Sequence, residues 1–321
     1  CDGVDSDCDG SGGSVRAVIG PIEYATIQGA IDAAVDGDTV SICPGTHLEP
    51  LEIPDYAQID LESFSREPDD TVLDGEGMRQ ILSIGDDAEV RLLGLTFRDG
   101  AAIYNAPVPG FLSNGGAVNS CGASLSIEGC HFTDNSCWNY GGAVAMRNEP
   151  ERACGHESEQ PIVLEITDSV FEGNFGSDYG GGGAIALVAA GSGELSVSGS
   201  EIRDSRSGYV GGGIYTEVCG DLEISIRDSV LEDCETSYDG GGLYAAAQGT
   251  IDLQITASEI SGHVTGYEGG AIFLEADLDV EVSMDEVTFD DNFSDYKGGA
   301  MRIEGEGGAT VQLADSDWTD N

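Results

Sequence analysis

LSVSGSEIRDS (195–205), ISIRDSVLEDC (224–234), LQITASEISGH (253–263) and VSMDEVTFDDN (282–292) are four copies of one block, each starting 29 residues after the last. Each copy opens on alternating apolar and polar residues and closes on a polar turn. The block also occurs as Val90 to Gly100, Leu125 to Asn135, Leu164 to Asn174 and Val311 to Asn321. The bulky residue near its end is Phe97, Phe132, Phe171, Ile202, Leu231, Ile260, Phe289 and Trp318, with separations of 35, 39, 31 and then 29 throughout. Between these blocks a glycine pair precedes a short apolar strand, from Gly115-Gly116-Ala117-Val118 through Gly241-Gly242-Leu243-Tyr244 to Gly298-Gly299-Ala300-Met301. Each period therefore holds at least two strands with turns between them.

A repeat of this length implies a stack in which every unit buries its apolar face on its neighbours. Ile127, Cys130, Phe132 and Asn135 fit leucine-rich-repeat spacing, but such a repeat would continue into a helix. Here the chain runs instead into Tyr-Gly-Gly and β-formers, which disfavour helix. The remaining solution is a parallel β-helix. With a 29-residue period, residues 38–321 make about ten coils, a rod on the order of 50 Å long at the usual inter-strand spacing.

Stacking places equivalent residues in columns. Leu125, Leu164, Leu195, Ile224 and Leu253 form one inward column, and Ile127, Ile166, Val197, Ile226 and Ile255 form a second. A third inward column is small and polar: Cys130, Ser169, Ser200, Ser229, Ser258 and Ser316, whose hydroxyls are expected to bond one another or the backbone. The Asp99, Asp134, Asp204, Asp233, Asp291 and Asp320 series, followed by Asn135, Asn174, Asn292 and Asn321, reads as corner chemistry. Tyrosines also recur at Tyr140, Tyr179, Tyr209, Tyr238, Tyr267 and Tyr296. Their rings either lock the glycine-rich corner by stacking or form a platform for sugar or protein, with Tyr179, Tyr209, Tyr238, Tyr267 and Tyr296 as the candidate ligand-binding residues.

Composition narrows the classes further. The 48 glycines in 321 residues occur without Gly-X-Y periodicity, which excludes collagen. A hydrophobic fraction of 40% is enough for a core. The net charge of −48, with Lys297 the only lysine, repels DNA, RNA and anionic lipid. No run of 18 apolar residues exists to span a membrane. The acidity serves either as a solvated coat or for divalent-cation binding. Nine cysteines without repeated CxxC spacing point to an oxidising compartment, with Cys219–Cys234 and then Cys1–Cys8 the expected disulfides.

At the N-terminus, Ile27, Ala30, Ile31 and Ala34 share one helical face, Thr26 is placed as N-cap and Gly37 as the stop. Thr39–Ile42 then opens the first strand, with Pro44-Gly45-Thr46 as its turn. The expected organisation is an acidic Cys/Asp segment at 1–14, a cap with a short capping helix at 15–37, and the β-helix at 38–321. Within the first segment, Asp5, Asp7 and Asp9 before Gly10 match the first half of a calcium loop, while the acidic twelfth position is Arg16. Calcium is thus the candidate cofactor, and a solvated acidic linker is the plainer alternative. Cys1 fits both a lipidated first residue and a fragment that happens to begin there.

The alternation of Gly-Gly-Ala-(Ile/Val) with Phe132-x-x-Asn135, Phe171-x-x-Asn174 and Phe289-x-x-Asn292 resembles the passenger repeats of the chlamydial polymorphic outer-membrane proteins over roughly residues 90–321. That resemblance implies an all-β, right-handed parallel β-helix adhesin. Residues 24–34 resemble the start of pectin-lyase-like β-helices, and residues 1–10 resemble the cysteine-flanked aspartate repeats of bacterial surface proteins, which implies metal binding.

Catalytic signals are weak. Arg98 and Arg203 occupy one coil position but two coils separate them, Asp69-Asp70, Asp86-Asp87 and Asp290-Asp291 are pairs expected by chance among 60 acids, and His263 falls in the asparagine corner column. The expectation is a non-catalytic structural or adhesive rod, extracellular or on the outer cell surface. Its partner would be a host or neighbouring-cell glycan or protein, or another copy of itself. A carbohydrate-active enzyme on the same fold is the first alternative. A filament subunit is the second, because the chain stops at Asn321 where another Tyr-Gly-Gly block would be due.

Overall fold

The computed structural model describes residues 15–102, 114–148, 161–177 and 180–321. They form a parallel β-solenoid. A representative coil runs Ile251–Thr256, Glu259–Ser261, Val264–Thr265 and Ile272–Ala276, one strand for each of four sheets, so the period holds four strands. We number the sheets first to fourth in that order. They contain twelve, ten, seven and nine strands respectively, and the nine-stranded fourth sheet marks nine complete coils.

Register follows the sequence columns. Leu195 pairs with Ile224 and Ile224 with Leu253, while Val197 pairs with Ile226 and Ile226 with Ile255. All six are buried, in a core cluster extending from Ala17 to Ala300. In the second sheet Phe97, Phe132 and Phe171 stack with centroids 4.8 and 4.6 Å apart, and Phe289 stacks on Trp318 at 4.2 Å. Chain length between coils does not disturb this order. Ser124–Glu128 and Ile162–Thr167 pair in register across a 39-residue step, as Leu222–Arg227 and Ile251–Thr256 do across 29.

Three residues per coil adopt positive φ, for example Asp228, Asp233 and Gly240, and in the next coil Ala257, Gly262 and Gly269. The aspartates are therefore left-handed corners, which their side chains tolerate by bonding local backbone. The serine column bonds backbone on both sides. Ser229 Oγ donates to Arg227 O at 2.7 Å and accepts from Ser200 N–H at 3.2 Å, and Ser200 and Ser169 repeat the pattern. Each buried hydroxyl so satisfies itself and a neighbouring coil's amide.

A buried corner ladder lies between the second and third sheets. Asn135 N–H and Nδ2 both donate to Asn174 Oδ1 at 3.1 Å, and Asn292 and Asn321 repeat the arrangement. His263 takes an asparagine's place. Its Nδ1 accepts from Cys234 N–H at 3.1 Å, its own backbone N–H donates to Asn292 Oδ1 at 3.2 Å, and Nε2 has no hydrogen-bond partner among the described residues.

At the N-terminal end, strands β1 (Ala17–Ile19) and β2 (Ile22–Tyr24) form an antiparallel hairpin, and β1 pairs antiparallel with β3 (Thr39–Ile42). The hairpin covers the first sheet's edge, which would otherwise be open to pairing. Helix α1 (Ile27–Ile31) is shorter than the stretch to Gly37 expected from sequence, but Thr26 caps it by accepting from Gly29 N–H at 3.0 Å. Ile27, Ala30 and Ile31 are buried, and Ala34 packs partly against the core. The expected turn at Pro44-Gly45-Thr46 is corrected: Gly45–His47 is strand β4, pairing with Thr71–Leu73 in the second sheet.

Candidate functional site

The exposed tyrosines stand at the corner between the third and fourth sheets. Backbone bonds stack this corner: Tyr238 N–H donates to Tyr209 O at 3.0 Å, Tyr267 to Tyr238 at 3.1 Å and Tyr296 to Tyr267 at 3.0 Å. Each tyrosine comes two residues before a left-handed glycine in its coil, as Tyr238 before Gly240 and Tyr267 before Gly269. At Gly240 a Cβ would sit 2.4 Å from Leu243 O, so both φ and space require glycine there. A rigid corner thus presents the rings.

Tyr209, Tyr238, Tyr267 and Tyr296 are 48%, 50%, 46% and 66% exposed. Tyr267 stacks on Tyr296 at 5.0 Å and Tyr209 meets Tyr238 at 5.1 Å with tilted rings. On the third sheet Val264 and Phe293 are also exposed and extend the apolar surface beside this corner, while the Arg206–Glu235 ion pair separates them from exposed Phe175. Of the tyrosines singled out from sequence, Tyr179 lies outside the described residues. Tyr140 does not belong to the exposed strip.

Tyr140 belongs instead to a second ladder on the outer face of the fourth sheet: Tyr140–Tyr215 at 5.4 Å, Tyr215–Tyr244 at 5.6 Å and Tyr244–Phe273 at 5.4 Å, all stacked. Arg147 lies over the Tyr140 ring at 5.2 Å. Tyr215 donates its hydroxyl to Glu217, and Tyr244 donates to Glu275 at 3.3 Å. Burial pushes both phenols well above their ordinary range, with the partner glutamates adding to the effect. Sequence reading missed this ladder, although Tyr215, Tyr244 and Phe273 also recur at 29 residues.

Between the ladders lies a charged column. Glu268 pairs in parallel with Lys297, and its nearly buried carboxylate takes Lys297 at 2.9 Å and Arg302 at 3.1 Å. Those bonds, the lysine's first, hold its carboxyl below the ordinary value although burial opposes them. Asp239 accepts from Glu268 N–H at 2.9 Å. Burial raises its carboxyl, and the charges of Glu268, Glu275 and Glu304 raise it further, more than that backbone bond lowers it.

The catalytic candidates stay apart. Thr133 and Glu172 intervene between Arg98 and Arg203 in the second sheet. Arg98 pairs with Asp74, and Arg203 with Glu172 and Glu201. Asp5, Asp7 and Asp9 lie outside the described residues. Among the described residues no group of three His, Cys, Asp or Glu side chains is arranged to hold a metal. The corner aspartates are interrupted by Gly173 and Gly262, where a Cβ would fall 2.9 Å from Asp134 Oδ1 and 2.1 Å from Asp233 Oδ1. The expected Cys219–Cys234 bridge is corrected as well: Cys234 is a free, buried thiol whose Sγ donates to Glu232 O, while Cys219 is disulfide-bonded. Cys234 is turned into the asparagine ladder, where a disulfide would displace a corner contact. The Cys1–Cys8 pair lies outside the described residues.

No protein-family model, curated protein or solved structure matches this chain. Of the expected family likeness the structure shows the coarser part, a parallel β-solenoid, and no helix among the described residues is long and apolar enough to cross a membrane.

Proposed function

We propose that this chain is an extracellular or outer-surface rod, structural and adhesive rather than catalytic, that holds a host or neighbouring-cell glycan or protein along its tyrosine strip. The observation that carries this reading is the set of four half-exposed tyrosines fixed at one corner by a continuous backbone ladder. Rings held this way lose little entropy on contact, and they offer both an apolar face and a hydroxyl. The acidic coat keeps such a rod soluble.

The contrast between a raised Asp239 and a lowered Glu268 favours a second reading, a glycan-cleaving enzyme with Asp239 as proton donor. Against it, Lys297 and Arg302 occupy the Glu268 carboxylate that would have to serve as its partner. The test combines two assays on purified protein. Coated beads should bind cells or arrayed glycans and lose binding in Tyr238→Ala/Tyr267→Ala. Incubation with pectate, alginate and neutral glycans in calcium should yield neither unsaturated products nor new reducing ends. Turnover above a heat-killed control, or binding indifferent to the double substitution, would overturn the proposal. Sedimentation of the same samples reports self-association.

A further inference from the structure

The only lysine in the sequence shows how this corner receives a cation. Lys297 Nζ donates to Glu268 Oε1 at 2.9 Å and lies 5.6 Å from the centroid of Tyr296, so one ammonium is held by a ring face and a carboxylate together. The same components recur on the preceding coils, where Tyr267 adjoins Glu268 and Tyr238 adjoins Asp239. There the position equivalent to the lysine is Glu268 itself. Among the described residues the ion pairs of this charged column are those of Glu268 with Lys297 and Arg302, and of Arg302 with Glu304, with Arg206–Glu235 beside it on the third sheet. Among the described residues the Asp239 carboxylate accepts only from the Glu268 amide, and the Glu275 carboxylate only from the Tyr244 hydroxyl. The strip thus has aromatic faces and spare negative charge in one place, on a chain of net charge −48.

We propose that the Tyr238, Tyr267 and Tyr296 strip, with Asp239 beside it, docks a basic segment of a partner polypeptide, lysine or arginine side chains lying against the rings as Lys297 does. This rests on the adhesive reading above and names the partner's chemistry. Successive rings are 5.0 Å apart where they stack, closer than alternate residues of an extended strand at roughly 6.6 Å. Long flexible stems can absorb that mismatch, and a guanidinium plane stacks well on a tyrosine face that no neighbouring ring covers, which rules out the faces Tyr267 and Tyr296 turn to each other. The negative field draws a basic segment in, and the rings decide where it settles.

The probe is a nona-arginine peptide, with its nona-citrulline counterpart as the uncharged control, titrated calorimetrically at several salt concentrations. Tyr238→Phe/Tyr267→Phe keeps the ring faces and should bind as the parent does. Tyr238→Leu/Tyr267→Leu keeps apolar bulk without them and should lose about tenfold. Asp239→Asn should weaken binding several-fold, whereas Asp69→Asn, at a carboxylate 91% exposed and away from this corner, should not. Lys297→Met removes the internal occupant and should bind more tightly, a gain that misfolding cannot imitate. Equal losses in the leucine pair and Asp69→Asn, or no gain in Lys297→Met, would overturn the proposal in favour of diffuse attraction by the coat. Tyrosine-dependent binding of a neutral glycan with indifference to the peptide would overturn it too, while leaving the adhesive reading intact.

Discussion

Replacing His263 by asparagine should remove an acid-sensitive defect from the corner ladder. Asn135, Asn174, Asn292 and Asn321 each donate Nδ2 to a carbonyl of the preceding coil at 3.0 Å, namely Phe97, Phe132, Ile260 and Phe289 O. The equivalent carbonyl for His263 is Leu231 O, which is near enough to act on the imidazole, but among the described residues Nε2 has no partner with hydrogen-bond geometry. Because Nδ1 accepts from Cys234 N–H, Nε2 carries the proton of the neutral ring and leaves it unpaired. Burial lowers the imidazole from 6.5 to about 4, against the opposing effect of the backbone.

The folded pKa is depressed, so the unfolded chain binds the extra proton between these two values. The linked stability is complete above about pH 6.5 and falls away as pH drops towards 4. At ~1.36 kcal/mol per unit the full difference is about 3 kcal/mol, of which ~2.5 kcal/mol is lost by pH 4.5. His263→Asn abolishes that loss and pairs the orphan donor, which is worth about 1 kcal/mol at neutral pH less the cost of the smaller side chain. Urea unfolding of parent and variant from pH 7.5 to 4.5 provides the test, since the difference between them cancels the acid titration of the carboxylates they share. The variant's advantage should grow by ~2.5 kcal/mol across that range. An advantage that stays constant with pH would refute the reasoning.

Ala257 holds φ 49° where most coils place aspartate or glycine and the next places Glu286, so Ala257→Gly should raise the unfolding midpoint by the equivalent of about 1 kcal/mol, and a loss would discount strain at this corner. Ser229→Ala should cost ~1–3 kcal/mol in the same assay, because the buried Ser200 amide loses its acceptor. Cys130, Cys137 and Cys234, each pushed up to about 12 by burial, should resist iodoacetamide at pH 8 until denaturant is added; native labelling at any of them would show that its coil opens. Calcium should give a binding heat that magnesium does not match and that disappears when residues 1–14 are removed; its persistence would place the ions elsewhere.

The coil was legible because its signals are local and repeated: a 29-residue step, alternating inward residues and glycine pairs at a corner. Columns such as Leu195, Ile224 and Leu253 could be assigned without coordinates, since stacking maps sequence period onto space. The Tyr215, Tyr244 and Phe273 ladder was hidden because alternation along its strand assigns these residues to the solvent face, yet Tyr215 and Phe273 are 6% exposed. Their cover comes from neighbouring rings, including Tyr140 from a different position in its own coil. The Cys219–Cys234 expectation failed for a related reason. Closeness along one period says nothing about the direction of a side chain, and Cys234 faces inward.

The unbroken register across coils of unequal length has a consequence for protein engineering. The strands on either side of the 39-residue step meet as they would across 29, so the register of the inward columns does not depend on the number of residues between them. Length can then be added at a corner without asking the core to repack, and entropy charges little for it, since doubling a loop costs only about 0.6 kcal/mol. A foreign peptide spliced into a step that already exceeds the 29-residue period would leave the paired strands in register, so the same rod could carry a chosen epitope at a fixed height along its axis.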